Sequence, residues 1–144
     1  ACYFQMREDD VQRVITHPLS MIGSDGLPHD ERPHPRLWGA FPRVLATYWR
    51  ERGLLPLEQA IHKMTGMSAT RFRIPQRGFL REGCMADVVV FDPKTVRDAA
   101  TFEQPRQFSE GIERVWVNGV LSFTAAGRST GQRAGRFVRR AQAA

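Results

Sequence analysis

The chain has 144 residues, 42% hydrophobic and 25% charged, which suits one domain with a buried core and argues against global disorder. Its net charge of +6 could suit a nucleic-acid ligand, but the arginines alternate with acids, as in Arg7-Glu8-Asp9-Asp10, which is typical of a solvated surface. The basic cluster Arg133–Arg140 has only Phe137 for stacking on bases, so we expect no nucleic-acid partner.

The first half of the chain is predicted to be mainly helical. Arg7–Thr16 has acids in its first turn and apolar residues on one face, and Pro18 ends it. The apolar run Leu19–Gly23 predicts a buried strand that leads into a turn. Leu27–Gly39 contains three prolines and several charges, which predicts a long loop of the kind that is often functional. Helices are then predicted at Phe41–Arg52, Leu57–Lys63 and Ser68–Phe72.

The second half, after Ile74-Pro75, is predicted to be β-structure. Ala86–Asp92 is a β-branched run closed by a proline, the clearest strand in the sequence. Ile112–Val117 and Val120–Phe123 flank Asn118-Gly119, the residue pair that a type I′ hairpin turn requires. We therefore expect a strand followed by a β-hairpin.

Asp25 is the residue of the first half that is best placed to carry chemistry. It directly follows the predicted strand, within Gly23-Ser24-Asp25-Gly26. This half is typical of the last unit of a (β/α)8 barrel, in which catalytic residues project from the C-terminal ends of the strands. An aspartate between glycines also makes ordinary turns, and the residue types alone favour that interpretation.

The stretch Ser24–Arg36 has the letters SDGLPHDERPHPR. It closely resembles a specific motif of the N-acyl-D-amino-acid deacylases (D-aminoacylases) of the amidohydrolase superfamily, and the likeness extends along nearly the whole chain. The strand Ala86–Pro93 is shared by many amidohydrolases and indicates the superfamily only. Shorter likenesses follow in the same order at Lys63–Gly66, Arg77-Gly78, Ala100–Glu103, Val117–Gly119 and Thr130–Arg136.

The resemblance implies an α/β fold in two parts. Residues 1–73 would form the last strand and helices of a TIM barrel with its active-site loop, and residues 74–144 most of a small β-sandwich domain with the C-terminal tail. A complete barrel takes about 250 residues, so we expect this chain to be a C-terminal portion of the enzyme. Leu19, Met21 and Ile22 would then lack neighbouring strands, and we expect the isolated chain to self-associate.

The activity that the resemblance implies is zinc-dependent hydrolysis of a small-molecule N-acyl-D-amino acid to a carboxylate and a D-amino acid. Asp25 matches the general acid/base, which takes a proton from the zinc-bound water and protonates the leaving amine. It also matches a contact with a second, weaker metal position. Arg36 matches the arginine that binds the substrate's α-carboxylate through its planar fork. Tyr3 and Met6 match positions in the pocket for the substrate side chain, although the residue types alone favour a place in the core for both.

The main zinc ligands of that family have no counterparts in this sequence. They are a His-x-His pair, a cysteine and two later histidines, and the sequence contains no His-x-His. His29 and His34 lie in a proline-rich loop, and His17 and His62 are predicted to be structural, so none is assigned to zinc. We expect zinc to be a cofactor of the intact enzyme only and this chain alone to be inactive.

Two other functions stay open. The chain could be a β-rich interaction module without catalysis, or part of a hydantoinase-like enzyme for cyclic amides, in which Arg36 would have no free carboxylate to bind. The sequence shows no apolar run of about 18 residues and no secretory signal, so we expect a cytoplasmic protein with no membrane partner. Cys2 and Cys84 match no metal or redox spacing, which favours free thiols in a reducing compartment.

Overall fold

The computed structural model describes residues 6–126 and 128–141. Helices occupy the first part of the chain and a four-stranded antiparallel sheet the second. In this part of the chain, no helix combines the length and the apolar character that crossing a membrane requires. The elements are α1 (Glu8–Thr16), α2 (Arg36–Arg43), a π-helix (Val44–Glu51), α3 (Leu57–Met64), α4 (Gly66–Arg71), β1 (Val88–Phe91), β2 (Ile112–Val117), β3 (Val120–Thr124) and β4 (Arg128–Ser129).

The helix predicted at Phe41–Arg52 begins earlier, at Arg36, so the predicted loop Leu27–Gly39 is wrong over its last residues. Contacts that are remote in sequence stabilise this early start. Pro42 has no N–H to donate to the carbonyl of Trp38, and the hydroxyl of Ser109 donates to that carbonyl instead, at 3.1 Å. After Arg43 the helix widens into π geometry, where the N–H of Arg52 reaches the carbonyl of Thr47 at 3.0 Å.

The strand predicted at Leu19–Gly23 is not formed in the part of the chain that the structure describes. These residues pair with no strand in the part of the chain that the structure describes, and a strand requires a ladder of bonds along at least one edge. Leu19 is 77% exposed, whereas Ile22 packs against the helical core. The N–H of Ile22 donates to the carbonyl of Lys63 at 3.2 Å, which attaches this segment to α3.

The sheet has the order β1-β2-β3-β4, with every neighbouring pair antiparallel. The predicted hairpin is confirmed, and Asn118 and Gly119 have the positive φ angles (49° and 81°) of a type I′ turn. The predicted strand at Ala86–Asp92 is confirmed at Val88–Phe91, while β4 was not predicted. Residues 6–126 and 128–141 contribute this one sheet, so they do not supply the second layer of the expected β-sandwich.

One hydrophobic core joins the helices to the sheet. Its buried residues come from α1, the π-helix, the loop before α3, α3 itself and the turn after β1, and Phe91 and Ile112 of the sheet pack against them. Gly111 shows how closely the start of β2 approaches the turn after β1, because a Cβ atom there would lie 2.4 Å from the backbone nitrogen of Val96. The buried members are Ile15, Val44, Leu45, Tyr48, Leu55, Ala60 and Val96.

Candidate functional site

Asp25 and Arg36 are brought together by the loop between them. The Nε of Arg36 donates to the backbone carbonyl of Asp25 at 2.9 Å. The Nη2 of Arg36 lies 3.1 Å from the Oδ2 of the Asp25 carboxylate. The side chain of Asp25 is 82% exposed and that of Arg36 is 43% exposed. The two residues therefore form an ion pair that a small molecule can reach from solvent.

The Gly-Ser-Asp-Gly turn creates this approach. Asp25 has a φ angle of 47°, a left-handed conformation that aspartate tolerates better than most residues. Gly26 follows it, and a Cβ atom there would lie 2.4 Å from the Cδ1 and 2.7 Å from the Cα of Leu37. Only glycine lets the turn lie this close to the first residues of α2. The turn expected from the residue types at Gly23–Gly26 is thus present, and it brings Asp25 into contact with Arg36.

The position of Arg36 depends on His34. The Nδ1 atom of His34 accepts a hydrogen bond from the backbone N–H of Arg36 at 3.0 Å, which satisfies one of the free donors at the start of α2. The His34 ring contacts Phe102 edge to face, with centroids 5.1 Å apart. Desolvation, and secondarily the Arg36 cation, lower the pKa of His34 below its usual value. The ring therefore stays neutral near pH 7, the state in which Nδ1 can accept.

The loop is also held at its middle. The Nη2 of Arg106 donates to the carbonyl oxygens of Asp30 at 3.2 Å and Glu31 at 3.1 Å. Arg106 lies in the segment between β1 and β2, which also contains Phe102. Nothing in the sequence signals this contact, because the partners are remote in the chain. The role of His34 had no such signal either, since histidine is not a preferred capping residue and the helix was predicted to begin only at Phe41.

Acidification is predicted to destabilise the chain through His34. Because the pKa of His34 is lowered by folding, the unfolded chain binds more protons, and stability is lost as the pH falls below about 6.5 and through the lower pKa of the folded state. The amide of His34→Asn can accept the same bond without titrating. We expect thermal unfolding midpoints at about pH 7.5 and 5.5 to differ less in His34→Asn than in the parent. An equal difference in the two proteins would show that the Arg36 N–H bond does not depend on His34 titration.

The structure does not join the other two predicted site residues to this pair. Tyr3 lies outside the described residues. Met6 precedes α1 and is 58% exposed, so its assignment to a substrate pocket stays a prediction. Two open depressions, of about 340 and 320 Å³, are lined by residues other than Asp25 and Arg36. In the described residues, Asp25 and Arg36 therefore form an open surface site.

A sequence profile described as "Amidohydrolase family" matches residues 5–123. The chain belongs to the amidohydrolase family. It is 57% identical over 143 residues to a D-aminoacylase from Alcaligenes xylosoxydans xylosoxydans, a match that covers 99% of this chain and 29% of that protein. It is 52% identical over 140 residues to an N-acyl-D-glutamate deacylase from the same organism, covering 97% of this chain and 28% of that protein. The resemblance found in the sequence is confirmed.

The fold matches solved amidohydrolases over most of its length. A crystal structure of D-aminoacylase superposes with a TM-score of 0.93 at 56% identity, covering 96% of this chain and 29% of that one. The N-acyl-D-glutamate deacylase of Bordetella bronchiseptica, solved with zinc and a phosphonate inhibitor, superposes with a TM-score of 0.82 at 54% identity. This match covers 88% of this chain and 27% of that one. The helices and small antiparallel sheet therefore have the fold of one part of these enzymes, and the chain spans 27–29% of each matched chain.

The described residues do not form a zinc site by themselves. Within residues 6–126 and 128–141, no three side chains of His, Cys, Asp or Glu lie close enough together to hold a metal ion. Asp25 is the one residue here that the resemblance connects with a metal, and its ion-pair partner is a cation. A catalytic zinc usually takes three protein ligands, so this arrangement does not fit one.

Proposed function

We propose that this chain is part of a hydrolase that cleaves N-acyl-D-amino acids to a carboxylate and a D-amino acid. The observation that carries the proposal is the 3.1 Å approach of Arg36 to the carboxylate of Asp25. The α-carboxylate and the amide nitrogen of an N-acyl amino acid are bonded to the same carbon. The residue that binds the α-carboxylate and the residue that protonates the amide nitrogen must therefore be neighbours. Identity of 52–57% to named deacylases of D-amino-acid derivatives supports the same substrate class.

Asp25 is assigned the proton transfers. Its carboxylate accepts a proton from the water whose oxygen attacks the acyl carbon. When the C–N bond breaks, the same carboxyl group returns the proton to the departing amine nitrogen, which otherwise leaves poorly. The exposure of the Asp25 side chain is compatible with a substrate contact, and the bond from Arg36 to its carbonyl holds the backbone in place during both transfers.

Arg36 is assigned the recognition of the free α-carboxylate. A guanidinium group binds a carboxylate through parallel hydrogen bonds, and in this structure its Nε and Nη2 are directed to Asp25. The Nη1 side is then the edge available to the substrate. Because Arg36 is the first residue of α2, the positive end of the helix dipole also favours an anion there.

The rest of the architecture follows from the resemblance. We assign residues 1–73 to the end of a TIM barrel and residues 74–144 to the small β-domain, with Tyr3 and Met6 in the side-chain pocket. Zinc would be a cofactor of the complete protein, held by side chains outside the described residues, and would supply an activated water. A contact of Asp25 with a second metal belongs to the same proposal.

A stereochemical assay of the complete protein tests this function. We expect release of free amine from N-acetyl-D-amino acids, little release from their L enantiomers, and loss of activity on chelation with recovery on adding zinc. A hydantoin in parallel reactions tests the cyclic-amide alternative. Ring opening of the hydantoin without hydrolysis of the D substrates would overturn the proposal in favour of that alternative, and no hydrolysis of any of them would favour a non-catalytic module.

A further inference from the structure

Lys63 is buried in an unusual way for a lysine. It lies on α3, and only 1% of the residue is exposed. Its Nζ donates to the carbonyl of His17 at 2.6 Å, to the carbonyl of Ser20 at 3.0 Å and to the hydroxyl of Ser20 at 3.1 Å. An ammonium group has three N–H donors, and here each has an acceptor.

All three acceptors are neutral, so no carboxylate compensates the buried charge in this cluster. Burial lowers the pKa of Lys63, which is the expected cost of removing an ammonium group from water. A buried methionine of similar length would avoid that cost. What the lysine provides in return is a fixed connection from α3 to the turn at His17–Ser20, which follows α1.

The main chain of Lys63 makes a second connection to the same segment. Its carbonyl accepts the N–H of Ile22 at 3.2 Å. Lys63 therefore binds this segment at three successive points, at His17, Ser20 and Ile22. Asp25 is the third residue after Ile22, so these attachments end close to the catalytic carboxylate in the chain.

We propose that Lys63 is a positioning residue for Asp25, holding residues 17–22 against α3 so that the carboxylate is presented at Arg36. This inference rests on the proposed function, because it assumes that Asp25 carries the proton transfers. A displacement of about 1 Å in a catalytic group can reduce the rate about 100-fold, so loss of this attachment should be measurable.

Lys63→Met in the complete protein tests the proposal. It removes the Nζ donor from all three acceptors, and we expect kcat to fall about 10- to 100-fold at a temperature well below the unfolding midpoint. KM should change by no more than about threefold, because Arg36 is held separately by α2 and His34. Hydrogen exchange should become faster at Ile22–Asp25 and stay unchanged in β2 and β3. Lys94→Met is the matched control, since Lys94 is the only other lysine and is exposed.

A double variant separates this inference from the proposed function. If Lys63 acts through Asp25, Lys63→Met should have little further effect on kcat in the Asp25→Asn background. An equal loss in both backgrounds, or an unchanged kcat in Lys63→Met, would overturn the positioning role while leaving Asp25 as assigned. Nearly full activity of Asp25→Asn alone would instead overturn the proposed function. If Lys63→Met does not fold, Ser20→Ala replaces it, because this variant removes the contact between the Nζ of Lys63 and the hydroxyl of Ser20. The same changes in kcat and hydrogen exchange then decide the outcome.

Discussion

Asp25→Asn is expected to lower kcat of the complete protein by about 10²- to 10⁴-fold, the usual contribution of a general acid/base. Asparagine has the same shape but cannot accept and return the proton. It also tolerates the left-handed backbone of Asp25, whose φ angle is 47°, so the turn should persist. The bond from Arg36 to the backbone carbonyl of this residue does not depend on the side chain. Steady-state rates with an N-acetyl-D-amino acid, together with an unfolding curve, measure the effect.

Asp30→Asn is the control for this experiment. Asp30 is an exposed aspartate in the same loop, and its described contact with Arg106 is made through its carbonyl oxygen. The same change of charge should therefore leave the rate nearly unchanged. Activity of Asp25→Asn within a few-fold of the parent would remove Asp25 from the chemistry.

Arg36→Lys is expected to raise KM for substrates with a free carboxylate by about 10- to 100-fold, equivalent to the loss of a hydrogen bond to a charged group. Lysine keeps the positive charge but loses the planar fork. It also loses the Nε donor to the carbonyl of Asp25, so some decrease in kcat should accompany the change. Comparing the free acid with its methyl ester tests the role of the carboxylate, because the ester neutralises that group and leaves the amide that is cleaved unchanged.

The parent should prefer the free acid strongly, and Arg36→Lys should have lost most of that preference. Arg32→Lys, at an exposed arginine of the same loop, should retain it. Equal hydrolysis of the ester and the acid by the parent would contradict the assignment of Arg36 to the carboxylate.

Elements with local signals were predicted well from the sequence. Acids in the first turn and Pro18 beyond the end mark α1, and the Asn118-Gly119 pair marks the hairpin. Both signals act within a few residues, so no knowledge of the tertiary structure is needed to interpret them. The Ser24–Arg36 motif similarly led to the correct family, because it can be recognised from a continuous stretch of the sequence.

The errors concern features that depend on distant partners. An apolar run such as Leu19–Gly23 has the same pattern whether or not a strand lies beside it. The early start of α2 among prolines depends on the ring of His34 and on the hydroxyl of Ser109, the second of which is remote in sequence. Lysine is expected at the surface, and the burial of Lys63 depends on the carbonyl groups of His17 and Ser20, which no sequence pattern identifies as its partners.

The contact from Arg106 has a consequence for which substitutions the loop tolerates. Arg106 binds the carbonyl oxygens of residues 30 and 31, and every amino acid has such an oxygen. The attachment therefore imposes no requirement on the side chains at these two positions, which are exposed. Substitutions of either side chain are therefore expected to leave the loop attached to Arg106. The surface charge of this part of the loop can consequently be redesigned while its backbone stays in place.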